Sequence, residues 1–357
     1  MYPDQMTDAQ KRIFDNIINP VKVAPRVKGR FKLRAMKGDI IMRESAWCPN
    51  IIVNGAFDYW FQNAPTNGIG IMGFVAGAGT ATPQPTDTSL QSFLGGGGSV
   101  VEGWVTRNTT VSPRSITVGV RIQGSEGAVV GNVAEIALCR GTTGTPTNST
   151  PIFNRARVVD EMGNPTTITV LSDEFLEVIY EITLYAIDGA TGTLTINIDG
   201  TPTNFDYEIR PINMSNTFWW RISPGITGSG TGAWFVFNPS GLLNVGTSSG
   251  QRSHVTDQTA FGDPSESSAP AGYSSSNHFG SRVDAAYVPG SKERLQTIRL
   301  PLNNGNIAAP GIRSINLALT VDTAVSWCVH QMLLDGPFVK PATHIFDLPV
   351  TVAMDNA

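Results

Sequence analysis

Apolar residues recur at alternate positions through much of this chain, the period of a half-buried strand. The clearest run is Leu176 to Tyr185, preceded by Thr167 to Val170 and the turn Met162-Gly163-Asn164-Pro165. In Lys28 to Lys37 the basic Arg30, Lys32 and Arg34 alternate with Phe31, Leu33 and Ala35, so one strand face is cationic and the other apolar. Further strands are predicted at Ile51 to Val53, Gly103 to Val105, Ser115 to Ile122, Val133 to Cys139 and Ile152 to Val159. Leu295 to Leu302, Ile312 to Val321 and Val325 to Leu334 read as strands that close the sheet. Within the middle one Ile315, Leu317, Leu319 and Val321 alternate with polar residues, which predicts one buried face. The aromatic clusters Phe218-Trp219-Trp220 and Trp234 to Phe237 read as core strands.

These runs predict an all-β protein, a sandwich of Greek-key or jelly-roll type spanning residues 27–357, with a candidate subdivision near residue 200. Residues 1–26 read as an N-terminal docking arm, with a helix start at Thr7-Asp8-Ala9-Gln10 and two turns before Pro20. Residues 244–281 are rich in Gly, Ser, Thr, Asn and Pro and read as an extended loop, disordered or wrapped along a neighbour. Composition agrees: 37 Gly and 23 Pro against only 15% charged residues suit many turns, and 357 residues bury a sizeable core without staples.

Charge is uneven. Residues 1–43 hold ten Lys or Arg against four Asp, and the rest of the chain is acidic. Lys28, Arg30, Lys32, Arg34 and Lys37 are therefore candidates for docking on an acidic surface of a neighbouring subunit. The plainer reading is the solvated face of an edge strand kept charged against aggregation. Nucleic acid is the less favoured partner, because the chain is acidic overall and lacks interleaved stacking aromatics.

Few residues suggest chemistry. Cys48, Cys139 and Cys328 are odd in number and widely spaced, which predicts free thiols, and the four histidines lack metal-ligand spacing. Gly68 to Gly73 satisfies G-x-G-x-x-G, but no helical pattern follows it. Gly95 to Gly98 lacks the Lys-Ser/Thr ending of a phosphate loop and reads as a flexible connector. Asp160-Glu161 and Asp173-Glu174 are adjacent pairs beside turns, where solvated acids are ordinary, so a glycosidase reading is weak. Without an apolar leader or a run of about 18 apolar residues, neither a signal peptide nor a membrane span is expected. No catalytic residue, cofactor or metal is predicted.

The order Trp47, Asn50-Ile51-Ile52, Asn54-Gly55, then Gly77 to Pro83, resembles a family of tailed-bacteriophage virion structural proteins. The likeness continues through Glu135-Ile136-Ala137-Leu138, Phe153, Arg155 and Ala156, and then Glu174, Leu176, Val178, Tyr180 and Glu181. It covers Arg26 to Tyr185 and departs at Trp47-Cys48-Pro49-Asn50, where an aromatic-aspartate pair is commoner. It implies a virion protein without catalytic residues, made in the host bacterial cytoplasm. Such a protein forms a homo-oligomeric ring or attachment element at the neck, collar or tail, holding neighbouring virion proteins. The alternative it leaves open is a tail-fibre or spike component that binds a host receptor or glycan through exposed aromatics such as Tyr59, Trp60 and Tyr273.

Overall fold

A computed structural model describes residues 20–62, 70–140, 146–198, 201–212, 214, 221–223, 234–236, 253–265, 280–322 and 325–357. The chain is all-β, with one helix among the described residues, the nine-residue Asn54–Gln62. The helix predicted within residues 11–18, the cluster Phe218-Trp219-Trp220 and most of the loop 244–281 lie outside the described residues.

The largest sheet is organised on the strand Arg26–Lys37, whose burial alternates as its sequence does. Val27, Phe31, Leu33 and Ala35 are fully buried, each such side chain contributing about 1.5–3 kcal/mol at valine size or above. Phe175–Tyr185 pairs antiparallel along one side, from Phe175 opposite Met36 to Tyr185 opposite Arg26. Ser115–Gln123 and then Ser99–Asn108 extend the sheet outward. The other side is shared in succession by Asp355–Asn356, Cys48–Ile52 and Ile40–Glu44. Arg26–Lys37 is thus an interior strand with both sides occupied, which corrects the edge-strand reading. Beyond Cys48–Ile52 follow Asn154–Arg157, Glu135–Arg140 and Gly70–Gly77, then the short Trp234–Val236 and Arg221–Ser223.

The C-terminal strands do not close this sheet. Ile312–Asp322 and Val325–Phe338 belong to a separate five-stranded sheet with Ala190–Ile198, Thr201–Ile212 and His254–Thr256. Glu293–Leu300 joins a four-stranded sheet with Ser281–Asp284, Phe346–Ala353 and Val21–Val23. Val21 and Val23 are core residues there, so the docking-arm boundary at 26 is too late: the chain enters the body by residue 21. Phe338 stands between the two smaller sheets, 5.6 Å from Phe205 and 5.2 Å from Phe346 by ring centroid.

Two more expectations change. Both faces of Ile312–Asp322 are covered from Ser314 to Ala318: Ser314 and Asn316 are as buried as Ile315 and Leu317. Hydrogen bonds make that tolerable, Ser314 Oγ accepting from Gln331 Nε2 at 2.8 Å and Asn316 Nδ2 meeting His254 Nε2 at 2.9 Å. Gly95 to Gly98 is no flexible connector either. Phe93–Gly97 is a strand beside Gly70–Gly77, and a Cβ on Gly96 would stand 2.6 Å from the Phe74 carbonyl oxygen.

Candidate functional site

The strands that carry motifs of the family likeness, Glu135–Arg140, Asn154–Arg157, Cys48–Ile52 and Phe175–Tyr185, lie in the main sheet with Arg26–Lys37 between the last two, while Asn54-Gly55 opens the helix and Gly77 to Pro83 runs into a loop. Several of the strands' polar residues, Glu135, Asn154, Arg155 and Tyr180 among them, point inward. Asn50 pairs with Gly29, and the missing side chain of Gly29 leaves room for Asn50 and for the Tyr180 hydroxyl. Burial pushes the Tyr180 phenol well above its ordinary value. Asn154 Oδ1 accepts from the Leu138 amide at 2.9 Å. Glu135, fully buried, receives Arg155 and the amides of Gly79, Gln91 and Ser92, which binds the Gly77 to Ser92 loop to the sheet. Asp87 takes the remaining fork of Arg155 at 2.7 Å. Glu135, Asn154 and Arg155 hold strands and a loop together.

The outward face of Arg26–Lys37 carries the basic candidates, and most of them meet acids of this same chain. Arg30 bonds Glu181 at 2.5 Å, Lys32 bonds Glu44 at 2.5 Å, and Arg34 reaches both Glu44 and Glu177. Lys37 pairs with Asp173 at 2.5 Å, and Arg43 pairs with Glu174. Burial opposes the Glu44 charge, but hydrogen bonds from Lys32 and Arg34 outweigh it and hold the carboxyl below its ordinary value. Only Lys28 of the five is exposed with no acidic partner among the described residues. The strip is a cross-strand lattice of opposite charges, far closer to neutral than its sequence suggests.

Beside this lattice lies a groove of about 920 Å³, lined by Lys32, Trp47, Asp160, Glu161, Thr166 and Thr167 among others. Val159, one of its lining residues, bridges Pro165 across the turn that Asp160 caps. Asp160 Oδ1 accepts from the Met162 and Asn164 amides at 2.9 and 2.8 Å, and the Asn164 amide leads the bonds that hold this carboxyl below its ordinary value. Trp47 also lines the groove, with the Arg30 guanidinium 4.1 Å from its ring centroid. Sequence reasoning singled out Trp47 only as part of the likeness and missed the groove.

The aromatic candidates fare differently. Trp60 is 1% exposed, wedged between Phe57 and Phe153 at 5.3 Å from each. It is a core residue and no receptor contact, because Ala56, Phe57, Trp60 and Phe61 form the buried side of the helix. Tyr59 is half-buried against the same core, and Tyr273 lies outside the described residues. Asp58, on the opposite side of the helix, accepts from Tyr287 Oη at 2.6 Å and the Gly290 amide at 2.7 Å, while Arg294 Nη1 donates to the Phe61 carbonyl at 2.8 Å. The helix is thereby clamped to the four-stranded sheet.

The paired carboxylates diverge. Asp173 goes to Lys37, whose hydrogen bond leads the causes holding it below its ordinary value, and Glu174 goes to Arg43 and the Leu171 amide. Cys48 and Cys139 are buried free thiols, and burial drives the Cys139 pKa up to about 12. Among the described residues no group of three His, Cys, Asp or Glu is placed to hold a metal ion, and no helix is long and apolar enough to cross a membrane. No protein-family model, curated protein or solved structure matches the chain.

Proposed function

We propose that this chain is a structural subunit of a tailed-bacteriophage virion, forming a homo-oligomeric ring or attachment element at the neck, collar or tail. The observation that carries the reading is the fate of the resembling segments. Those that form strands stand in one sheet, and their buried Glu135, Asn154 and Arg155 are spent on internal bonds. A segment set used this way serves architecture, and repeated copies of a stiff β body supply contact area without a cofactor. Docking through the basic strip is narrowed to Lys28 and to residues 1–19, since the other candidates are matched internally.

Cryo-EM of the intact particle tests this reading. Density for the body in a ring below the head or along the tail is the expected result; absence from every virion feature overturns it. Truncation before Pro20 leaves the Val21–Val23 strand in place and asks separately whether residues 1–19 are needed for incorporation.

A further inference from the structure

The groove beside Trp47 presents polar side chains that the fold leaves uncommitted, and its chemistry selects a class of ligand. Its volume, about 920 Å³, lies within the ordinary range for ligand sites, roughly 300–1,000 Å³. Its basic residues are already committed, Lys32 to Glu44 and Arg43 to Glu174. Asp160 is bonded into its own turn. Glu161, Thr166 and Thr167 are exposed on the groove, and no side-chain hydrogen bond occupies them among the described residues. The free polar inventory is therefore one carboxylate and two hydroxyls next to one indole.

One face of Trp47 is held by Arg30. Arg30 covers the ring at 4.1 Å, and Glu181 fixes Arg30 by two bonds of 2.5 and 2.8 Å. A ring locked in place loses little freedom when a ligand stacks on it. A cationic ligand is disfavoured, because a guanidinium already draws on the indole quadrupole. A polyanion is disfavoured by the unmatched Glu161 and by the absence of an uncommitted basic residue among those lining the groove. What remains is a neutral molecule with an apolar face to lie on an indole and hydroxyls to meet a carboxylate and threonines.

We propose that the groove binds an uncharged saccharide, with one sugar ring stacked on Trp47 and its hydroxyls bonded to Glu161, Thr166 and Thr167. The proposal does not depend on the virion reading: a saccharide site is compatible with either outcome of the particle reconstruction.

The test applies the full-length protein to an array of neutral hexose and N-acetylhexosamine oligosaccharides, followed by saturation-transfer NMR on any that bind. At least one is expected to bind with a dissociation constant of about 1 mM or tighter, with saturation strongest on the protons of one ring face. Trp47→Ala lowers the affinity by about tenfold or more and Trp47→Phe by less. Trp47→Ala also uncovers Arg30 and could loosen the fold, so Glu161→Ala and Thr167→Val serve as the second pair. Both positions are exposed, so the melting temperature stays unchanged while affinity falls severalfold. Failure of every neutral oligosaccharide to bind overturns the proposal. So does binding that the Glu161 and Thr167 variants leave intact, or binding confined to acidic saccharides and lost in salt.

Discussion

Arg155 lies across Glu135 on the adjacent strand, its Nη2 and Nε at 2.6 and 2.9 Å from the same carboxylate oxygen, with both side chains out of reach of solvent. A buried pair of this kind is far more damaging to break than to lack. Removing one partner leaves a desolvated charge and costs about 3–5 kcal/mol. Arg155→Met is therefore expected to lower stability by that amount in urea unfolding. Pairing it with Glu135→Leu recovers only part, because the amides of Gly79, Gln91 and Ser92 lose their acceptor. Hydrogen exchange at those three amides quickens in both variants.

His330 makes stability sensitive to acid. Its imidazole is fully buried, Nε2 accepts from the Ile187 amide at 3.0 Å, and burial drives its pKa down to about 3. The unfolded chain takes up a proton near 6.5, whereas the folded chain refuses it until about 3. Stability from this group is complete above pH 6.5 and is lost as pH falls, by about 1.4 kcal/mol per unit. Urea midpoints of the wild type and His330→Gln between pH 7 and pH 5 check it: the variant gives the flatter profile.

Lys340 acts at the other end of the scale. Its ammonium is buried against the Leu302 carbonyl and Asn306 Oδ1, at 3.3 and 2.8 Å, with no carboxylate partner among the described residues. Burial lowers its pKa to about 8 from the ordinary 10.5. Between those values the unfolded chain holds the proton that the folded chain has released, so stability rises with pH across the window. Thermal melts from pH 8 to pH 10 are expected to show that rise in the wild type and not in Lys340→Met.

Two glycines separate space from conformation. A Cβ on Gly29 would lie 2.6 Å from the Tyr180 hydroxyl and closer still to Asn50, in the interior of the sheet. Gly29→Ala is expected to cost about 2 kcal/mol or more. Gly55 lies exposed in the helix with open space around it, and Gly55→Ala is expected to stabilise by about 0.5–1 kcal/mol. Denaturant midpoints moving in opposite directions verify the pair.

The all-β class was legible because period-two alternation survives in the segments that matter most, Lys28 to Lys37 and Leu176 to Tyr185. The partners of those strands were not legible. Glu181 lies 151 residues from Arg30, and nothing local announces that the two will face each other. The helix was missed because its aromatics Phe57, Trp60 and Phe61 follow a strand directly, though their spacing is helical. The strand Phe346–Ala353 was missed because Pro349 interrupts its pattern. Phe93–Gly97 escaped because glycine marks a turn far more often than a close approach between backbones. The groove could not be foreseen, since Trp47 and Glu161 come from distant segments that only the sheet brings to one place.

The pairing of Val21–Val23 with Phe346–Ala353, and of Arg26–Val27 with Asp355–Asn356, ties the first described strands to the last. Asn356 also exchanges hydrogen bonds with Ile52 across 304 residues of chain. Contacts of such sequence separation place the protein among slow folders, because loop closure comes before its reward. During synthesis these first strands wait without their partners until residues 346–356 leave the ribosome. The half-made chain carries open sheet edges for that whole interval, and it is in this window that aggregation competes with completion of the fold.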